Sequence, residues 1–456
     1  MRSTVQLSVS EVTSDIIKQI LDWHKPHREA MLGLYNRYLG SGLPIQSRQL
    51  PDPKKPNNKI PNDYRGYIIN QVVGYLWGQP ISYSIDSRKY DETKAKEYHD
   101  RLSRFNALNT IDDLDSELGK IMSICGYAAR LLYIDKNGEE RAMNIFPWEA
   151  VFIEDGGEIT HAIRYYKVKD LENNEYTKVE WYDSKNVTFF IEDDGVFVMD
   201  SEGSQPHLFD YVPLIRFQNN DEEQGDFEKV EALIDAYDKI ISDSVNEIET
   251  FANAYMAFKG VQIDKETIET MKQTGGIEID KEGDVFFITK NINDTFVENN
   301  KKTLNENIHK FSASVDMSDE KFSGGAQTGE SRKWKLVALE NKAGTKARKF
   351  GKGLREQFKV LCSAWKKKNI DIDYLDIFWE FKRNIPIDLA YVAEFASRMK
   401  GIHSDHTLLS QIPYIDDVNY ELELMKQEQE EMIDLDSFTN DTTNQDDAEN
   451  QESELV

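Results

Sequence analysis

From Asp226 to Gly260, the apolar residues Val230, Leu233, Ile234, Tyr237, Ile240, Ile241, Val245, Ile248, Phe251, Ala252 and Tyr255 recur at steps of three and four. That period places them along one face of a helix. Gly225-Asp226 supplies a start, with Asp226 as N-cap, and Gly260 supplies a stop. About 35 residues at ~1.5 Å rise make a rod of roughly 50 Å, whereas globular helices average about 11–12 residues. Such a rod is either a core helix of a large bundle or a strut that packs beside copies of itself.

Beyond the rod the chain turns compact. Val261 to Asp294 holds a short helix (Lys265 to Lys272), Gly275-Gly276, and a hairpin of Gly276–Ile279 against Asp284–Ile288 around Glu282-Gly283. A second helix, Asn300 to Val315, carries Leu304, Ile308 and Phe311 on one face. Ser318 to Ser331 contains three glycines and breaks the helical pattern. Arg332 to Lys368 is helical again, with Phe350, Leu354, Phe358, Leu361 and Trp365 as its apolar stripe and a bend expected near Gly344, Gly351 and Gly353.

The N-terminal half differs. Ser10–Leu39 and Asp63–Trp77 read as helices, separated by the proline-rich loop Leu50–Ile60. From Ala128 to Phe217 the pattern is β-rich. Asn137-Gly138 joins Arg130–Ile134 to Ala142–Phe146, and Asp194-Gly195 joins Val187–Ile191 to Val196–Met199. Ile159–Val168 and Tyr176–Tyr182 complete a meandering antiparallel sheet. Near the end, Ile370–Phe381 alternates like a strand, and Leu389–Lys400 and Val418–Met432 read as helices. The fold class is therefore α+β.

Charge narrows the function classes. Of the formal net charge of −27, Glu421–Val456 carries −12, leaving −15 on the body. Affinity for phosphate comes from Lys and Arg, so such a body is a poor general DNA binder. Asp434–Val456 has eight acids and no base and is expected to be disordered. Glu330–Lys368 is the exception, with 13 Lys/Arg against three acids. Its basic face is solvated, pairs with an acidic surface of another subunit, or touches nucleic-acid backbone. Cys125 and Cys362 have no CxxC spacing, which excludes a disulfide framework and fits a reducing compartment. No apolar run reaches the ~20 residues of a membrane span.

No catalytic motif stands out. Gly324 to Gly329 has P-loop glycine spacing, but Glu330 occupies the lysine position and repels phosphate. The pairs His24/His27 and His403/His406 have no third ligand of clear type and read as surface histidines. Asp371, Asp373 and Asp376 lack a calcium loop's fifth-position oxygen, since Leu375 stands there, and read as solvent-facing strand carboxylates. Neither a metal nor a cofactor is expected. Abundant carboxylates leave open a metal-dependent DNA-processing enzyme, and the acidic tail leaves open an acidic assembly scaffold or chaperone.

The collinear segments Tyr75-Leu76-Trp77-Gly78-Gln79-Pro80-Ile81, Ile145-Phe146-Pro147-Trp148-Glu149-Ala150 and Val212-Pro213-Leu214-Ile215-Arg216-Phe217-Gln218-Asn219-Asn220 resemble portal proteins of tailed double-stranded DNA bacteriophages of the siphophage type. Leu233–Asp238, Asn246–Glu249, Val315–Ser318, Gly324-Gly325-Ala326, Leu336–Glu340 and the acidic tail extend the likeness. The resemblance implies a ring of about a dozen subunits at a capsid vertex. It implies a wing (1–225), a stem helix (226–260), a clip (261–298), a second stem helix (299–317), a tunnel loop (318–331), a long kinked helix (332–368), a return strand (369–387), a crown (388–432) and a disordered tail (433–456). The tunnel loop would present Asp319, Glu320, Lys321, Phe322, Ser323, Gly324, Gly325, Gln327 and Thr328 to DNA, with Lys321, Arg332 and Lys333 near the phosphates. Lys265, Glu266, Glu269, Lys272 and Lys281 would meet the packaging motor. Relatives often continue after the loop with a small or apolar turn, whereas here Gly329 precedes Glu330-Ser331-Arg332-Lys333-Trp334. Implied partners are the double-stranded DNA, the terminase large subunit, a head–tail adaptor, and the major capsid and scaffolding proteins, with no membrane. Implied residence is the virion, after assembly in the host cytoplasm.

Overall fold

The computed structural model describes residues 2–9, 11–169, 171–252, 255–259, 265–274, 283–288, 294–317 and 329–384, and further residues between 392 and 428. The chain divides into two units, 1–384 and 385–456.

The first unit begins with strand β1 (Thr4–Gln6) and helix α1 (Ser14–Tyr38), whose N-cap Thr13 accepts from the Ile16 amide. Helix α2 (Tyr64–Trp77) starts on Asp63, which accepts from the Gly66 amide at 2.8 Å. Strand β2 (Ser82–Ile85) and helices α3 (Glu92–Asn109) and α4 (Ile111–Cys125) come next, three elements that periodicity alone does not reveal. Strands β3 (Tyr127–Ile134) and β4 (Glu140–Ile145) form the Asn137-Gly138 hairpin. Its turn is fixed by Gly138 at φ 75° and by Asp135, which accepts from the Asn137 and Glu139 amides.

Strands β5 (Ala150–Asp155), β6 (Glu158–Lys169), β7 (Glu175–Tyr182), β8 (Asn186–Asp193) and β9 (Val196–Pro206) form the expected antiparallel meander. Asp194 and Gly195 both have positive φ, as a type I′ hairpin requires. β1 adds in parallel to the β5 edge. Helix α1 covers one face of this sheet, burying Ile17 and Ile20 against Val151, Ile163, Val179 and Trp181. Strand β10 (Leu214–Gln218) joins β3 and β4 in a second sheet.

The long rod is shorter than its periodicity predicts. Helix α5 spans Glu231–Ala252, after a 3₁₀ turn at Glu228–Val230. Tyr255–Lys259 is strand β11, not helix. It pairs with β12 (Asp284–Ile288), whose expected hairpin partner, Gly276–Ile279, lies outside the described residues. Aromatic and apolar residues at 255–258 suit either state, and the partner strand at hand decides it. Helix α6 (Lys265–Thr274) lies between them, and helix α7 (Asp294–Ser312) returns beside α5. Helix α8 (Gly329–Lys367) is unbroken across all three glycines. Two of them serve packing: Gly351 faces the Trp379 indole and Gly353 the Phe217 ring, where a Cβ would come within 3.0 Å. The stripe Phe350, Leu354, Phe358, Leu361 and Trp365 is wholly buried. Strand β13 (Ile377–Glu380) pairs with β2.

Two side chains expected at the surface are in the interior. His24 is no surface histidine. It is buried between the Tyr165 and Tyr127 hydroxyls, and burial lowers its pKa to about 3. Asp376 is likewise buried, accepting from Lys89 and Tyr90. In the second unit, α9 (Asp405–Leu409) and helical residues 421–428 are described. His403 and His406 are exposed there. Among the described residues, no helix is long and apolar enough to cross a membrane.

Candidate functional site

The basic face of α8 is largely consumed within its own chain. Lys342, Lys346 and Lys349 pair with Asp226, Asp226 and Asp221, while Lys367 and Lys368 pair with Asp210 and Glu140. Arg355 donates to the Tyr374 and Ile377 carbonyls and lies 4.4 Å over the Trp379 ring. For the five lysines the partner is an acid of the same chain, where the charge run alone allows solvent, a second subunit or nucleic acid.

Asp226 is the centre of that pairing, not an N-cap. Lys346 Nζ, fully buried, donates to Asp226 at 2.7 Å, to Ser123 Oγ at 2.8 Å and to Asn219 Oδ1. Burial lowers the Lys346 pKa to about 8 against the pull of Asp226. Burial also pushes the Asp226 carboxyl up, but the Lys342 and Lys346 ammoniums outweigh it and hold the group below its ordinary value. This lock ties α8 to the α4 helix, to the residues after β10, and to the entry of α5.

Helix α5 is fixed along a polar face. The amides of Asn58, Ile60 and Asn62 donate to Asn246 Oδ1 (2.7 Å), Ser242 Oγ (3.0 Å) and Asp238 Oδ1 (2.8 Å). Four helical residues advance ~6 Å and two extended residues ~6.6 Å, so the two repeats stay in register. Arg65 of α2 adds ion pairs to Glu231 (2.8 Å) and Asp235 (2.6 Å).

A third cluster holds the exit of α7. Gln71 Nε2 donates to the Val315 carbonyl at 2.7 Å, and the Val315 amide donates to Gln71 Oε1 at 2.7 Å. Tyr67 Oη donates to the same carbonyl at 2.7 Å and accepts from the Met317 amide at 3.0 Å. Lys342 Nζ donates to the Ser312 carbonyl. The backbone is therefore clamped from α2 and α8 up to the residue before Ser318. Substituting Gln71 by Ala removes the side-chain partner of the Val315 amide and one of the two donors to the Val315 carbonyl. It is expected to raise amide hydrogen exchange at 313–317 at least about tenfold while the far-UV spectrum is unchanged.

Asp319, Glu320, Lys321, Phe322, Ser323, Gly324, Gly325, Gln327 and Thr328 lie outside the described residues, as does Lys281. Arg332 and Lys333 lie on α8, and Lys265 and Lys272 on α6. Glu266 and Glu269 of α6 are exposed. Sequence reasoning missed Tyr67, Gln71 and the Lys346–Asp226 pair. The i, i+4 spacing of Tyr67 and Gln71 on α2 was the signal that could have found the first two.

The family model described as Phage portal protein, SPP1 Gp6-like, matches residues 17–434. The chain is 25% identical over 459 residues to the Portal protein of Bacillus phage SPP1, covering 94% of this chain and 88% of the relative. It is 24% identical over 412 residues to the Portal protein of Clostridium phage phiCD119, covering 84% and 87%.

Proposed function

The chain belongs to the phage portal protein family, SPP1 Gp6-like, and from that premise we propose that copies of it form a ring through their long helices. The ring is a conduit for genome entry and exit at one capsid vertex and a docking platform for the packaging motor and the head–tail adaptor. Members of this family are structural components of the virion, which does not favour the enzyme and scaffold readings.

One observation carries the proposal. Beyond Ile234, which is buried in the core, the face of α5 that its own chain buries is polar, centred on Asp238, Ser242 and Asn246. The apolar stripe beside it is only partly covered in this second half: Ile240, Ile241 and Val245 are half-buried and Ile248 is 65% exposed. Burying such side chains contributes about 1.5–3 kcal/mol each. A second copy standing alongside satisfies them, and head-to-tail repetition of that contact closes into a ring.

In this reading the wing is the pair of sheets with α1 to α4, the stem is α5 with α7, and the clip is β11, α6 and β12. The tunnel loop, expected over 318–331, gives way at Gly329 to α8, which stands behind it. The acidic body repels DNA and lets it slide, while Lys321, Arg332 and Lys333 make only weak, transient contacts with it. Substituting Ile240 and Ile248 together by Glu is expected to abolish annular particles in negative-stain microscopy. The circular dichroism of the chain should be unchanged. Rings that persist in the double variant would remove α5 from the interface.

A further inference from the structure

Beneath the α7 exit is a cleft of about 590 Å³ lined by Asn62, Asp63, Tyr64, Tyr67, Asn305, His309, Asp316 and Met317. We propose that this cleft binds an organic cation, an alkylammonium or guanidinium group carried on a short carbon chain.

Among the described residues, the lining has two carboxylates and two phenol rings and no Lys or Arg. His309 adds no charge near neutral pH, because burial lowers its pKa against the opposing effect of Asp316. Its ring is nine-tenths buried and gripped edge-on by Tyr64 and Tyr67, with centroids 5.9 and 5.5 Å away. Nδ1 is paired with Ser314 Oγ at 2.8 Å. Nε2 lies 3.9 Å from Asp316 Oδ2, beyond hydrogen-bond range. Asn305 orients the wall, accepting from Tyr64 Oη at 2.7 Å and donating to Asp316 Oδ2 at 2.8 Å.

Each alternative ligand class meets an obstacle. An anion is repelled by both carboxylates. A bare metal ion needs a tight set of ligands, and among the described residues no trio of His, Cys, Asp or Glu is spaced to hold one. An apolar ligand would strip water from the carboxylates without replacing it. An ammonium or guanidinium group donates to carboxylates while its carbon chain lies on the tyrosine rings. The cation is either a free polyamine or a basic side chain of a second copy, the latter resting on the ring of the proposed function.

Calorimetric titration of the full-length protein with agmatine and with spermidine in about 0.3 M salt, which suppresses non-specific attraction, tests the site. Saturable binding with one cation per chain is expected. Asp63→Asn keeps the helix cap and Asp316→Asn keeps an acceptor for Asn305. Each should weaken binding roughly tenfold, the loss of one charge-assisted hydrogen bond. Equal binding by the lone chain and the assembled particle identifies a free cation. Binding by the lone chain alone, with agmatine slowing assembly, identifies a neighbour's side chain. Both outcomes uphold the site. No saturable binding to the lone chain, or binding unchanged when Asp63→Asn and Asp316→Asn are combined, overturns it. The lone-chain titration decides the matter even if no ring ever forms.

Discussion

Lys346→Met is expected to lower the unfolding free energy by about 3–5 kcal/mol, because it leaves the Asp226 carboxylate buried beside a thioether instead of an ammonium. The Asp226 side chain is only 4% exposed, and Lys342, its other cation, stands further off at 3.5 Å. Removing both partners, as Lys346→Met with Asp226→Leu, should recover most of the loss, since the buried charge disappears with its partner. Urea unfolding of the two variants checks this, and a loss below about 1 kcal/mol in the single variant would deny the lock any structural weight. The same lysine sets a pH signature. Its folded pKa is lowered to about 8 from 10.5, so between those values the unfolded chain holds more protons than the folded one. Stability from this group is therefore present above pH 10.5 and lost as pH falls through 8. Relative to Lys346→Met, the unmodified chain should gain stability as the buffer is raised across that window.

Gly126→Ala should destabilise the chain by about 3 kcal/mol or more, two mechanisms acting at once. Gly126 ends α4 at φ 94°, a left-handed conformation that alanine adopts only with strain. Its Cβ would also overlap the Glu223 carbonyl and lie 2.9 Å from the Gln224 amide, backbone atoms that no rotamer change removes. The damage should spread to the N-terminus. Glu223 is wholly buried and accepts from the Arg2 amide at 2.5 Å and the Ser3 amide at 2.9 Å, and Arg2 is doubly bonded to Glu228 at 2.7 Å. Displacing this loop releases the anchor of β1. Limited proteolysis should then cut within the first ten residues of the variant well before the unmodified chain is cut there.

The sequence shows those elements whose signal is local or periodic. The α8 stripe from Phe350 to Trp365 and the hairpins at Asn137-Gly138 and Asp194-Gly195 needed only spacing and turn chemistry. The end of α5 did not, because Tyr255–Lys259 is apolar enough for either state and its strand partner lies about thirty residues on. Asp226 satisfied the local rule for an N-cap, but that rule takes no account of a lysine 120 residues away. The basic run Arg332–Lys368 showed its charge openly. Its acids are scattered from Glu140 to Asp226, so nothing in the run itself reveals that they neutralise it. The clamp at Val315 was hidden for a similar reason: Tyr67 and Gln71 bind main-chain atoms, and main-chain partners leave no pattern in composition.

The strap from Asn58 to Asn62 has a mechanical consequence. Its three main-chain bonds to α5 lie along the helix axis at matched intervals, so an axial tug on α5 strains them simultaneously, in shear. A sideways pull at Asn58 would open them one after another, as in peeling tape. A pillar stitched in this way resists lengthwise traction far better than lateral prying, and lengthwise is the load that the proposed passage of DNA would apply.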